Sequence, residues 1–135
     1  MHKSIMRNSI MQKSLIQNFC VNDYRFDKCL VDRMNESFKV RQEYPDRIPV
    51  ICQRSNHSKL SILGKRKYLV PKDLSATQFL FIIRRRLNLP TEKGLFLFIG
   101  NVMASSTNTI NELYDLYKNE DGFLYMTYSE ENVFG

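Results

Sequence analysis

The sequence is short of almost everything that active-site chemistry requires. Its 135 residues hold two histidines, His2 and His57, and three cysteines, Cys20, Cys29 and Cys52. Neither histidine lies near a nucleophile with a third residue to orient it, so no hydrolytic triad is supported. The cysteines form no CxxC pair and leave an odd one over. With no secretory signal, this points to a reducing cytosol and a fold without disulfides. The N-x-S sequences Asn35-Glu-Ser37 and Asn56-His-Ser58 then have no route to glycosylation. Gly-rich phosphate loops, metal-ligand spacings and paired carboxylates in an apolar setting are all missing, so the chain is expected to be no enzyme and to use no metal or cofactor. No apolar run approaches the roughly 18 residues of a membrane-spanning helix, so a soluble protein is expected unless something attaches it to a membrane. Cys52 alternates with Ile48 and Val50 on an apolar face, which favours burial over a thiolate paired with His57.

What is present is apolar material and unevenly placed charge. Hydrophobic residues make up 43% and aromatics 12% of the chain, enough for one domain with its own core. The formal charge of +6 is segregated: Arg47 to Lys93 carries eleven Lys and Arg against Asp73 and Glu92, whereas Gly94 to Gly135 sets Lys118 alone against six acids. A basic band suits nucleic acid, an anionic membrane surface or acidic peptides, and equally a merely solvated face. Residues 1–22 contain no acid and carry Lys3, Arg7 and Lys13. Their Ile5, Met6, Ile10, Met11, Leu15, Ile16 and Phe19 spread around a whole helical wheel, so the stripe a transit peptide needs is missing. The segment reads as a disordered basic extension, with a membrane-touching arm as the alternative.

The periodicity of the rest predicts a mixed α+β chain. Leu30, Val31, Met34, Phe38 and Val40, at three- and four-residue steps, favour one or two short helices over Asp23 to Glu43. Tyr44-Pro-Asp-Arg47 breaks that pattern. Strands are expected at Ile48 to Arg54, with Pro49 at its start or on an edge, at Lys67 to Pro71, at Leu95 to Ile99 and at Phe123 to Tyr128. Capping boxes at Ser75-Ala-Thr-Gln78 and Thr109-Ile-Asn-Glu112 open two further helices, the first ending before Pro90. Asp121-Gly122 turns into the last strand. The order helices, β, β, α, β, α, β is that of a β-grasp.

Two features carry binding chemistry. Lys67-Tyr-Leu-Val-Pro71 alternates charge and apolar stem. On a sheet edge its unpaired backbone would accept an incoming peptide strand. Phe79, Leu80, Phe81, Ile82 and Ile83 exceed what one helix face needs, so some are expected to line a pocket, a helix buried on two sides being the alternative. Arg84-Arg-Arg86 beside them favours partners with acids next to apolar anchors. The chain also ends on a polar tail and Gly135. A glycine terminus, having no Cβ, can thread a narrow enzyme channel, although many chains simply end on one.

Ile48-Pro-Val-Ile-Cys52, Lys65-Arg-Lys-Tyr-Leu-Val-Pro71, Gln78-Phe79, Ile83-Arg-Arg-Arg86, Leu89-Pro90, Asp121-Gly-Phe-Leu-Tyr125, Thr127-Tyr-Ser and Glu131-Asn-Val-Phe-Gly135 together resemble the autophagy ubiquitin-like modifiers. This is the family of GABARAP, microtubule-associated protein light chain 3 and autophagy-related protein 8. The resemblance runs from about Tyr24 to Gly135 without an evident gap. It implies a ubiquitin-like β-grasp with two additional N-terminal helices over residues 23–131, a conjugation tail over 132–135, and an extension over 1–22 on which it is silent. It further implies attachment of Gly135 to phosphatidylethanolamine by activating and conjugating enzymes, release by a deconjugating cysteine protease, and recruitment of cargo receptors bearing acidic, aromatic and aliphatic motifs. Gly135 being last, the sequence looks like a processed form or one that needs no trimming. A monomer without nucleic acid is expected, in the cytoplasm and on autophagosomal membranes, vesicles and the vacuole or lysosome. An unconjugated trafficking adaptor and a basic nucleic-acid-binding domain are the rival readings.

By the same resemblance, Glu36, Val40, Pro49, Ile51, Lys67, Leu69 and Phe123 form the pocket for an aromatic anchor. Tyr68, Val70, Pro71, Leu74, Phe79 and Ile82 form the pocket for an aliphatic one. Arg47 and Arg86 meet acids on the partner, and Phe96 and Phe98 belong to a second face for enzyme recognition and docking. The sequence departs from the family at Thr77, at Cys29-Leu30 and at Ala104-Ser-Ser106, which bears on N-terminal contacts and partner preference.

Overall fold

The structure, a computed structural model, describes residues 23–105 and 107–131. The readings made for residues 1–22, for Ser106 and for the tail with Gly135 lie outside the described residues. A 3-10 turn at Tyr24–Phe26 leads into helix α1 (Leu30–Glu43), followed by β1 (Arg47–Arg54) and β2 (Lys67–Pro71). Helix α2 (Ala76–Arg86), β3 (Phe96–Ile99), β4 (Val102–Met103), α3 (Ile110–Tyr117) and β5 (Leu124–Ser129) complete the order. Both expected capping boxes form: Ser75 and Gln78, and Thr109 and Glu112, exchange side-chain and backbone hydrogen bonds at the starts of α2 and α3. Each satisfies backbone donors that a helix start otherwise leaves unpaired. Past the end of α2, Asn88 takes the left-handed conformation, φ 53°, just before Pro90.

The five strands lie in the order β2-β1-β5-β3-β4. β1 and β5 run parallel, Val50 opposite Leu124 and Arg54 opposite Tyr128, and every other neighbouring pair is antiparallel. A last strand laid parallel to the first is the expected β-grasp. β4 has no counterpart in the sequence reading, because two residues after the Gly100 turn are too few to show alternation. Pro49 is accommodated near the strand start: it precedes Val50, the first residue of β1 paired with β5, so β1 has a neighbour on one side only at that point.

The two faces of this sheet are built differently. On one, Ile48, Val50 and Cys52 of β1 meet Phe79 and Ile83 of α2, Ile110 and Leu113 of α3, and Leu124, Met126 and Tyr128 of β5. Cys52 has no exposed surface, as its alternation predicts. On the other face, Tyr24, Ile51, Phe123 and Tyr125 form a smaller apolar cluster among the described residues. Helix α1 covers that side through polar groups. The Arg33 guanidinium donates to Asp121 Oδ2 at 2.6 Å, and the Ser37 hydroxyl donates to the Asp121 carbonyl. Val31, Met34 and Phe38, whose spacing predicts the helix, therefore face outward and are exposed.

Candidate docking site

Among the described residues β2 lies at the sheet edge, with β1 as its one neighbouring strand, so one row of its backbone groups has no strand partner there. Its residues alternate: Lys67, Leu69 and Pro71 are exposed, and Tyr68 and Val70 are buried. This is the period-two pattern of a strand with one face in the core. The free edge that the sequence reading required for strand addition is thus present.

The first group of expected pocket residues comes together on the α1 side. Leu69 stands opposite Pro49 and Lys67 opposite Ile51 in the β1–β2 register. Glu36, with Val40 one helical turn further along α1, comes down over the same pair of strands, and Glu36 Oε2 accepts from Lys67 Nζ at 2.7 Å. Ile51 and Phe123 share the small apolar cluster and are 0% and 2% exposed, so they form its floor and Leu69 its open rim. Phe123 thus lies beneath the position where the sequence reading made it a wall.

Glu36 is the centre of a polar latch across this group. Besides Lys67 it accepts from the Tyr24 hydroxyl and from Lys28 Nζ at 3.3 Å. Partial burial pulls its carboxyl upward, but the hydrogen bonds from Lys67, Tyr24 and Lys28 outweigh it and hold the pKa below the usual carboxylate range. Burial, joined by the Glu36 carboxylate, drives the Tyr24 phenol up. The cations of Lys28, Arg66 and Lys67 lie 5.3 to 6.0 Å from the Tyr24 ring centre. Tyr24 and Lys28 were not among the residues picked out from sequence, since Lys28 lies eight positions from Glu36 across a turn and carries no helical spacing to it.

The second group lies where β2 meets α2. The Tyr68 and Phe79 rings pack edge to face with centres 5.6 Å apart. Val70 is buried beside them in the main core, Leu74 packs partly buried against it, and Pro71 and Ile82 are exposed at the surface. Burial pushes the Tyr68 hydroxyl up to about 12, although the Arg86 guanidinium, 5.4 Å from the ring centre, pulls it down. Of the apolar run on α2, Phe79 and Ile83 enter the core while Phe81 and Ile82 remain exposed.

Arg47 donates to the Leu69 carbonyl at 3.3 Å and so sits at the β2 edge, as Arg86 sits over Tyr68 at its other pocket. Phe96 and Phe98 are not part of this site. They lie on β3, separated from β2 by β1 and β5, and Phe98 is 1% exposed, leaving Phe96 as the one of the two that presents surface. A separate cavity of about 350 Å³ has Phe96 in its lining together with Leu80, Met103 and Ala104.

Comparison with known proteins places these features in context. A family model described as "Autophagy protein Atg8 ubiquitin like" matches residues 32–135. Autophagy-related protein 8 of Schizosaccharomyces pombe is 45% identical over 114 residues, covering 84% of this chain and 91% of the relative. Autophagy-related protein 8a of Arabidopsis thaliana is 43% identical, covering 84% and 93%. Among solved structures, Trypanosoma brucei ATG8 superposes with a TM-score of 0.76 at 38% identity, covering 78% of this chain and 91% of that one. Plasmodium falciparum Atg8, solved in complex with a P. falciparum Atg3 peptide, gives 0.73 at 36% identity, covering 79% and 94%.

Proposed function

This chain belongs to the Atg8 family and is a ubiquitin-like modifier of autophagy, and on that premise we propose that it is conjugated through Gly135 to phosphatidylethanolamine and recruits partners along β2. In this reading the protein performs no chemistry of its own. Gly135 is the group acted on by activating and conjugating enzymes and released by a cysteine protease, and the lipid carries the protein from the cytoplasm to autophagosomal membranes. Support for this half is that the family match runs through residue 135 and that a similar protein was solved with an Atg3 peptide.

The observation that carries the docking half is the free edge of β2, with Leu69 standing outward between the Glu36–Lys67 latch and the Tyr68–Phe79 pair. An incoming peptide strand bonds to the β2 backbone and places alternate side chains on either side of Leu69. An aromatic anchor sits over Pro49, Ile51 and Phe123, and an aliphatic anchor over Val70, Leu74 and Ile82. Acids of the partner meet Arg47, Lys67 and Arg86. Phe96 gives the enzymes a second face.

Incubation with activating and conjugating enzymes, ATP and phosphatidylethanolamine liposomes is expected to give a lipid adduct with the wild-type chain and none with Gly135→Ala. Equal adduct from both would overturn the attachment reading. A normal adduct with no binding of acidic-aromatic-aliphatic peptides would overturn the docking reading alone.

A further inference from the structure

Three large apolar side chains of α1 stand in solvent. Val31, Met34 and Phe38 are 60%, 45% and 64% exposed. Spaced three and four positions apart, they line one face of the helix over about two turns. The opposite side of α1 is the one that braces the sheet, through Arg33 and Ser37 to Asp121 and through Glu36 to Lys67. Covering the sheet therefore does not use these three. An apolar stripe rimmed by polar residues at a surface marks a contact with another molecule.

The charges on the rim select the occupant. Asp32 and Lys39 are both exposed, and at seven positions apart they flank the stripe on the same side, about two turns from each other. Among the described residues neither takes part in an ion pair, since the pairs made by α1 use Arg33 and Glu36. A uniformly anionic partner, a membrane surface included, would meet Asp32 as well as Lys39. A second α1 laid antiparallel meets both with the opposite sign. With a two-fold axis passing between residues 35 and 36, Asp32 of each copy comes level with Lys39 of the other. The same axis brings Phe38 of each copy level with residue 33 of the other, at the gap between Val31 and Met34. One operation thus pairs both charges and seats both rings, the self-complementarity that a two-fold interface requires.

We propose that the outer face of α1 is a self-association surface, on which two copies pair antiparallel through Val31, Met34 and Phe38, with Asp32 and Lys39 fixing the orientation. Apolar burial supplies the attraction, whereas exposed charge pairs add little strength and penalise the wrong register. One helix face is at the small end of specific interfaces, so the dimer is weak and the dilute chain is the expected monomer. Glu36 lies across the helix from the stripe, so pairing does not draw on the proposed peptide site. Copies held on one membrane meet at raised effective concentration. That consequence rests on the lipid attachment proposed above, while the pairing itself is a property of the unconjugated chain.

Sedimentation of the full unconjugated chain, in reductant to exclude disulfides through Cys20 or Cys29, tests this between about 10 µM and about 1 mM. The mean mass is expected to rise toward that of a dimer, and Phe38→Asp is expected to weaken the association at least about tenfold. Asp32→Lys and Lys39→Asp are each expected to weaken it about threefold or more, and the double substitution to restore it. All three positions are exposed, so the fold is retained. Asp32→Lys removes an acid from the first turn of α1 and Lys39→Asp places one nearer its C-terminus, so an effect acting through helix stability would add in the double variant instead of cancelling. A constant monomer mass over the whole range, association that Phe38→Asp leaves unchanged, or a double variant no stronger than the singles would each overturn the proposal.

Discussion

The two faces of the sheet solve the same problem, covering five strands with helices, by different physics. The α2 face is a continuous apolar core in which Phe79, Ile83, Leu113 and Leu124 are buried together. Among the described residues the α1 face has a buried apolar cluster of only four side chains and is tied down by Arg33–Asp121, by Ser37 and by the Glu36 latch. Apolar burial holds regardless of direction or pH, whereas polar ties hold only while each partner is placed and charged. The division suits the proposed docking, in which the fold is kept while a peptide enters beside α1. The face under the first pocket rests on interactions that can be exchanged, and the face behind the second cannot move without opening the core.

Substitutions separate the two. The largest effect is expected on the apolar face: Phe79→Ala removes a fully buried ring and should cost about 3–5 kcal/mol in a denaturant titration. On the polar face, Arg33→Met leaves the Asp121 carboxylate buried without its cation. The expected loss is about 3 kcal/mol, the lower end for such a pair, because the Tyr125 hydroxyl and the Phe123 amide still donate to it. If Arg33→Met cost nothing, the α1 face would not be polar-braced. Between the faces, Leu69→Asp should weaken peptide binding by at least about 2 kcal/mol, read by calorimetry. The same substitution should move stability by no more than about 0.5 kcal/mol, since Leu69 stands at the surface. Ser75→Ala, which removes one half of the α2 capping box, should cost about 1 kcal/mol in the same titration.

Acid provides the finest distinction. Burial raises the Asp23 carboxyl, but its hydrogen bonds and charge pairing with Arg25 outweigh that, so both Asp23 and Glu36 have lowered pKa values in the folded protein. A depressed folded pKa contributes stability that is complete above the unfolded value, about 4, and is lost as pH falls through the folded value. Hydrogen-exchange protection, corrected for the intrinsic slowing of exchange in acid, is therefore expected to fall in α1 ahead of α2 as the pH is lowered below that range. Simultaneous loosening of both helices would show that the faces are not independent.

Much of this was legible in the residues. The two capping boxes, the β2 strand from Lys67 to Pro71 and the burial of Cys52 follow from local pattern, because each depends on neighbours within a few positions. The blocks from Ile48 to Tyr125 were specific enough to indicate the family. Other features were not readable. β4 is too short to leave a period, the Tyr24–Glu36–Lys28 cluster joins a turn to a helix without regular spacing, and Phe98 is buried where the family resemblance placed it on a docking face.

Sequence by itself determined most of the helices and strands, because propensity, capping and alternation act over short distances, and its resemblance to a known family indicated the ubiquitin-like fold. Only the tertiary structure decided that β2 is an edge, that Phe123 is a floor and Leu69 a rim, and that α1 turns its polar side inward. Those outcomes depend on which strands become neighbours and on where Asp121, 88 positions from Arg33, comes to rest. Such pairings are set by the packing of the whole chain, and no local pattern encodes them.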